Sequence, residues 1–154
     1  MSYEIALYSV ADEERRRTVR DALTAYNGSV CVDMRDVGSP RRLDVFLLDS
    51  EGRVMGGALG LIHWRWLYVD DLALAPEVRR QGLGTRVLRL AEAEAQRCGC
   101  THSSLNTMSF QARPFYEKLG YRVIGELPNW LPGATEYWLM RELPAGMQEQ
   151  PGQA

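Results

Sequence analysis

Residues 72–85 read Leu72-Ala73-Leu74-Ala75-Pro76-Glu77-Val78-Arg79-Arg80-Gln81-Gly82-Leu83-Gly84-Thr85. The apolar run Leu67 to Leu74 predicts a strand that leaves at Pro76. Leu83, Val87, Leu90, Ala91 and Ala95 then recur at helical spacing, which predicts a helix from Gly82 to Gln96 with Gly99 just past its end. A strand that runs through a glycine turn into a helix leaves backbone N–H groups unpaired at the positive end of the helix dipole. Such a turn is an anion site. Gly82 and Gly84 let a ligand approach without meeting a Cβ, and Arg79 and Arg80 add charge suited to a pyrophosphate. A Walker loop requires a lysine that is absent here. A dinucleotide fingerprint requires a third glycine where Val87 stands. The pattern Arg/Gln-x-x-Gly-x-Gly/Ala is met by Arg79, Gly82 and Gly84.

Toward the N-terminus, Tyr3, Ile5 and Leu7 alternate with Glu4 and Ala6, which predicts a strand. A helix follows from about Asp12 to Tyr26, with Val19, Leu23 and Tyr26 on one stripe and Asn27-Gly28 as its stop. Residues 28–42 read as loop. Leu43–Leu48 and Arg53–His63 form a hairpin across Asp49-Ser50-Glu51-Gly52, and Gly56, Gly57 and Gly60 imply close backbone approach or a bulge. Trp64-Arg65-Trp66 turns into the Leu67–Leu74 strand. Toward the C-terminus come a strand Thr101–Leu105, a short helix Gln111–Leu119 closed by Gly120, and a hairpin of Tyr121–Leu127 and Thr135–Leu143 across Pro128–Gly133. Residues 1–143 are expected to form one mixed α/β domain. The aperiodic residues 144–154 are expected to be a disordered tail.

Composition narrows the function. The chain has 154 residues, 18 basic and 20 acidic side chains, 45% hydrophobic residues and a net charge of -2. This is the composition of a globular domain, and the near balance argues against a nucleic-acid partner. All the basic residues but Lys118 are arginine. The longest apolar run, Ala58–Ile62, is broken by Gly60, so no membrane span or membrane partner is expected. The start lacks the layout of a secretory signal, and Cys31, Cys98 and Cys100 form no even framework. Free thiols in a cytoplasmic protein are expected.

Ser109-Phe110-Gln111-Ala112-Arg113-Pro114-Phe115-Tyr116-Glu117-Lys118-Leu119-Gly120-Tyr121 is the second informative stretch. With the glycine turn upstream of it, the chain resembles the GNAT superfamily of acetyl-CoA-dependent N-acetyltransferases. Arg79–Thr85 resembles the family's pyrophosphate motif, and Ala112, Phe115-Tyr116 and Leu119-Gly120-Tyr121 resemble its second motif. The resemblance runs from about residue 3 to 143, and Gly125–Gly133 is similar to one branch of small bacterial-type members. It implies an α/β (α+β) fold with a mostly antiparallel six- to seven-stranded sheet, splayed between its two central parallel strands and flanked by helices. The pantetheine arm would then pair with Leu72, Ala73 and Leu74. The pyrophosphate would sit on Arg79, Arg80, Gln81, Gly82, Leu83, Gly84 and Thr85, and Ala112 and Phe115 would complete the cofactor site. Many members carry Asn where this chain has Ser109, so Ser109 or Asn106 is expected to make that contact.

The activity implied is acetyl transfer from acetyl-CoA to a primary amine of a small molecule, or, as a sub-variant, of a protein. A non-catalytic acyl-CoA sensor is the alternative. No metal is implied, and either a monomer or a homodimer suits the reading. A backbone N–H near Leu72 is the candidate oxyanion donor, and Tyr116 the candidate general acid for the departing sulfur. Asp70 aligns with a carboxylate often found in relatives and is the candidate base, with a water relay as the other route. On a regular strand Asp70 and Asp71 face opposite sides, so at most one would point into the site. Trp64, Trp66, Tyr68, Trp130, Tyr137 and Trp138 are candidates for an aromatic acceptor pocket, with contacts from Arg35 and Asp36 in the first loop. His63 is a candidate relay, and His102 reads as structural.

Overall fold

Two compact units divide the chain, Met1–Gly38 and Ser39–Ala154. The computed structural model describes residues 4–31 and 39–144. Tyr3, Arg35, Asp36 and the stretch from residue 145 onward lie outside the described residues. In the first unit, α1 spans Glu13–Val30, and its N-cap Asp12 accepts the Arg15 N–H at 3.0 Å. That hydrogen bond holds the Asp12 carboxyl below its ordinary pKa. Asn27-Gly28 does not end the helix. Cys31 N–H donates to Asn27 O at 2.9 Å and the Ser29 hydroxyl to Tyr26 O at 2.6 Å, which satisfies carbonyls across the expected break. The strand expected over residues 3–7 does not form within the described residues.

The second unit is built on one sheet of β1 (Arg41–Leu48), β2 (Val54–His63), β3 (Trp66–Leu74), β4 (His102–Met108), β5 (Arg122–Leu131) and β6 (Ala134–Glu142). The order is β1-β2-β3-β4-β6-β5, with only β3 and β4 parallel. Trp64 and Arg65 both take positive φ, 50° and 66°, so β2 and β3 join through a two-residue turn. β2 threads tightly between its neighbours. A Cβ on Gly57 would lie 2.3 Å from Val45 O, and one on Gly56, whose φ is +144°, 2.4 Å from Ala73 O. β5 runs on to Leu131, so the expected Pro128–Gly133 loop shrinks to its last residues. The ladder is irregular between Leu127 and Leu131, where Pro128 has no N–H to give.

Helix α2 (Leu83–Arg97) packs against β1, β2 and β3, and α3 is the short helix Arg113–Lys118. Leu67, Val69, Leu88, Ala91, Leu105, Tyr121 and Leu139 form the core between sheet and helices. Two irregularities in β3 position the site. Its ladder with β4 runs only from Trp66–His102 to Val69–Leu105, after which the two strands part. Against β2, Gly60 pairs with Val69 and Leu59 with Asp71, which leaves Asp70 as a bulged extra residue. The bulge breaks the alternation, and Asp70 and Asp71 both line one cleft. The bulge removes the regular alternation on which the expectation of opposite faces rested.

Candidate active site

Beyond Val69 the β3 backbone groups on the β4 side have no ladder partner, so they are free to bind a chain laid along the strand. Beside them opens a cleft of about 510 Å³. Leu72, Ala73 and Leu74 form one wall, Ala112 and Phe115 the other, and Arg79, Arg80, Gly82, Gly84 and Thr85 close one end. Gly82 is the N-cap of α2 with φ 75°, and no side chain caps the helix, so its first-turn N–H groups stay free for an anion. Arg79 Nε donates to Leu74 O at 2.8 Å, which pins the turn with one of the guanidinium's donors. Arg80 holds φ 61°, an uncommon conformation for a side chain of its size.

Three expected cofactor residues stand apart. The Gln81 side chain donates to Glu77 O at 3.1 Å, bracing the single 3-10 turn Pro76–Val78. Leu83 turns its side chain into a separate groove with Val45, Phe46 and Leu90, so only its backbone belongs to the turn. Ser109 bonds Thr135 twice: its N–H donates to Thr135 O at 2.8 Å, and its hydroxyl accepts the Thr135 N–H at 3.2 Å. The hydroxyl oxygen thereby accepts at the β4–β6 junction, and Ser109 does not line the cleft. Asn106 does not line this cleft either, but it lines the cleft that adjoins it.

Leu72, Ala73 and Ala112 continue into a second cleft of about 260 Å³, lined also by Asp70, Asp71, Asn106, Gln111 and Tyr116. Tyr116 is 8% exposed, and burial raises its phenol pKa. Among the described residues no protein group hydrogen-bonds the Tyr116 hydroxyl, and no fully buried polar side-chain atom is left unpaired. The hydroxyl therefore opens onto the cleft. Gln111, which sequence reasoning missed, accepts the Met108 N–H at 2.7 Å and so finishes the end of β4.

A third cleft of about 350 Å³ shares Val69, Asp70, Leu105 and Asn106 with the second and is walled by Tyr68 and Trp138. Asp70, common to both, pairs with Arg42 at 3.2 Å. Glu136 accepts the Trp138 indole N–H at 3.0 Å and fixes that ring. No signal in the sequence could place Glu136 here, because β6 meets β4 only through the tertiary register. The other expected acceptor aromatics line none of the three clefts, although Trp66 stacks on Tyr68 at 6.3 Å. Trp66 stacks on His102 at 4.4 Å, Trp64 on His63 at 4.3 Å, and Arg113 covers the Tyr137 ring at 4.3 Å. Trp130 lies on β5 and lines none of the three clefts. Cys31, Cys98 and Cys100 are free thiols, and among the described residues no helix is long and apolar enough to cross a membrane.

Known proteins resemble this chain in sequence and fold. The acetyltransferase (GNAT) family model matches residues 5–121. The chain is 33% identical to an acetyltransferase of Agrobacterium fabrum over 133 residues, 86% of this chain and 94% of that one. It is 41% identical to the blasticidin-S acetyltransferase of Streptomyces morookaense over 95 residues, 61% of this chain and 70% of that one. The crystal structure of an acetyltransferase from Bacillus cereus superposes with a TM-score of 0.80 at 25% identity, covering 90% of this chain and 98% of that one. With a six-stranded sheet splayed at its parallel pair and the glycine turn at the head of α2, the chain belongs to the GNAT family of N-acetyltransferases and is an acyltransferase.

Proposed function

We propose that the protein moves the acetyl group of acetyl-CoA to a primary amine of a small molecule, by direct attack with both substrates bound. The observation that carries this reading is the meeting of two clefts where β3 and β4 part. Tyr116 closes one, Tyr68 and Trp138 wall the other, and Asp70 and Asn106 line both. The residues of the first two clefts also fit acetyl-CoA. The uncapped helix start and Arg80 suit its pyrophosphate, and the unladdered β3 edge suits its amide-bearing arm. A Cβ on Gly84 would stand 3.5 Å from Leu74 and Phe115, narrowing the strip between the cleft walls.

Acetyl-CoA supplies the acyl group as an activated thioester. A backbone N–H near Leu72 donates to the carbonyl oxygen as charge develops there. Tyr116, a phenol that is protonated at neutral pH and whose burial raises its pKa further, gives its proton to the departing sulfur. Asp70 attracts the arriving ammonium and passes its proton to solvent. A C–N bond forms and the C–S bond breaks, the second proton lost by the attacking nitrogen restores the Tyr116 phenol, and the products are an acetamide and the free thiol of CoA. Tyr68 and Trp138 offer aromatic faces, and Asp70 negative charge, to a cationic acceptor. The name of the blasticidin-S acetyltransferase relative supports a small amine as acceptor.

Thiol release from acetyl-CoA, followed with blasticidin S, thialysine, spermidine and a peptide with a free N-terminus, tests the reading. Release with one of the small amines is expected. Release with the peptide alone would replace the small acceptor by a protein one. Tight acetyl-CoA binding without release for any amine would leave a sensor.

A further inference from the structure

The second unit buries one carboxylate far more deeply than the others. Glu92, on α2, is 3% exposed, and its oxygens accept three hydrogen bonds. Arg89 Nη1 donates to it at 2.7 Å and Arg141 Nη1, from β6, at 2.8 Å. The Tyr121 hydroxyl donates at 2.9 Å. With the Tyr121 proton committed to Glu92, the Ser103 hydroxyl on β4 donates to the Tyr121 oxygen across 2.7 Å. One carboxylate therefore ties α2, β4, β6 and the segment after α3. A structure of this kind costs desolvation of the charge. It also fixes geometry, because each partner has a single arrangement that satisfies every group.

The geometry it fixes lies one step from Tyr116. Helix α3 has six residues, too few to hold a helix by its own hydrogen bonds, so its place is set by what its ends are tied to. Its C-terminal tie is the Glu92 cluster. Arg89, already on Glu92, donates its second terminal nitrogen to Leu119 O at 3.1 Å. The N–H groups of Leu119 and Tyr121 both donate to Tyr116 O, at 2.9 and 3.1 Å. The Tyr121 ring, held by its hydroxyl on Glu92, meets the Tyr116 ring edge to face at 6.0 Å between centroids. Backbone and ring of Tyr116 are thus both referred to the same carboxylate.

We propose that Glu92 is a positioning residue of the acetyl transfer, holding α3 through Arg89 and Tyr121 so that the Tyr116 hydroxyl stands in the cleft. The inference rests on Tyr116 acting as the general acid. Glu92 touches neither substrate and acts only through that tyrosine.

A double-mutant cycle tests it, using the fastest amine of the panel above and the full chain. Glu92→Gln keeps the side-chain volume and is expected to lower kcat about tenfold, with KM for acetyl-CoA changed less than about twofold. In the Tyr116→Phe background the same substitution is expected to change kcat by less than about twofold, since the group it positions is gone. Tyr121→Phe, which keeps the ring and removes only its tie to Glu92, should follow the same pattern if Glu92→Gln fails to fold. Substitution of 3-fluorotyrosine adds a readout independent of turnover: the fluorine resonance of Tyr116 should shift or split in both variants. Equal losses in the two backgrounds, or an unchanged kcat and an unmoved Tyr116 resonance beside a lowered melting temperature, would overturn the inference and leave Glu92 purely structural. A neutral Tyr116→Phe would instead overturn the general-acid reading, and this inference with it.

Discussion

In the proposed reaction Tyr116 acts through one atom, whose surroundings are unlike those of the rest of the ring. The ring is packed in the core while the hydroxyl opens onto the cleft, so the phenol stays protonated yet reachable. Tyr116→Phe removes that atom and little volume. Turnover should fall by about 10²- to 10⁴-fold with acetyl-CoA KM nearly unchanged, as expected for a general acid, and steady-state kinetics will show it. Gly56 makes the opposite point about a residue with no chemistry. Its φ of +144° and the carbonyl of Ala73, 2.4 Å from where a Cβ would stand, leave no room for a side chain. Gly56→Ala should destabilise the fold by roughly 2–4 kcal/mol, combining backbone strain and overpacking, measured by urea unfolding. The glycine cluster was legible as close approach. The role of Gln111 was not, because an amide that caps a strand end looks like any other polar residue in a loop.

At the scale of elements, the start of α2 is where local sequence and site coincide. Pro76 ends the strand, Gly82 takes a left-handed φ of 75°, and the helix begins without a capping side chain, leaving N–H groups for an anion. Arg80 adds charge to the same cleft, whereas Arg79 spends part of its donor set on Leu74 O. Arg80→Ala should therefore raise KM for acetyl-CoA about 10- to 100-fold, the worth of a hydrogen bond to a charged group, while kcat stays near its parent value. Added salt should shrink the difference between the two proteins. This turn was readable because strand, turn and helix are contiguous in the chain. Ser109 shows the limit: its hydroxyl is taken up by Thr135, a partner 26 residues away across the β4–β6 junction. The bulge at Asp70 is likewise a property of pairing with β2, so strand alternation alone placed Asp70 and Asp71 on opposite sides.

Across the whole molecule, burial couples folding to alkaline pH. Both Tyr116 and Tyr121 have phenol pKa values raised by burial, with the Glu92 charge adding to the effect at Tyr121. A group whose pKa is higher folded than unfolded leaves stability intact below the unfolded value, near 10 for tyrosine. Above it the unfolded chain ionises first, and stability falls by up to about 1.4 kcal/mol per pH unit for each group. Urea unfolding between about pH 9 and 11.5 should show this decline, and Tyr121→Phe should reduce its slope. By itself the sequence determined most elements of the 39–144 region, the glycine turn that opens α2, and the family to which both motifs point. Each of these depends on neighbours in the chain: periodicity, turn chemistry, helix starts. The tertiary structure alone decided that β3 and β4 part after Val69, that Asp70 bulges into a seam shared by two clefts, and that Glu92 gathers Arg89, Tyr121 and Arg141. Hydrogen-bond partners distant in sequence set these features, and no local pattern encodes a distant partner.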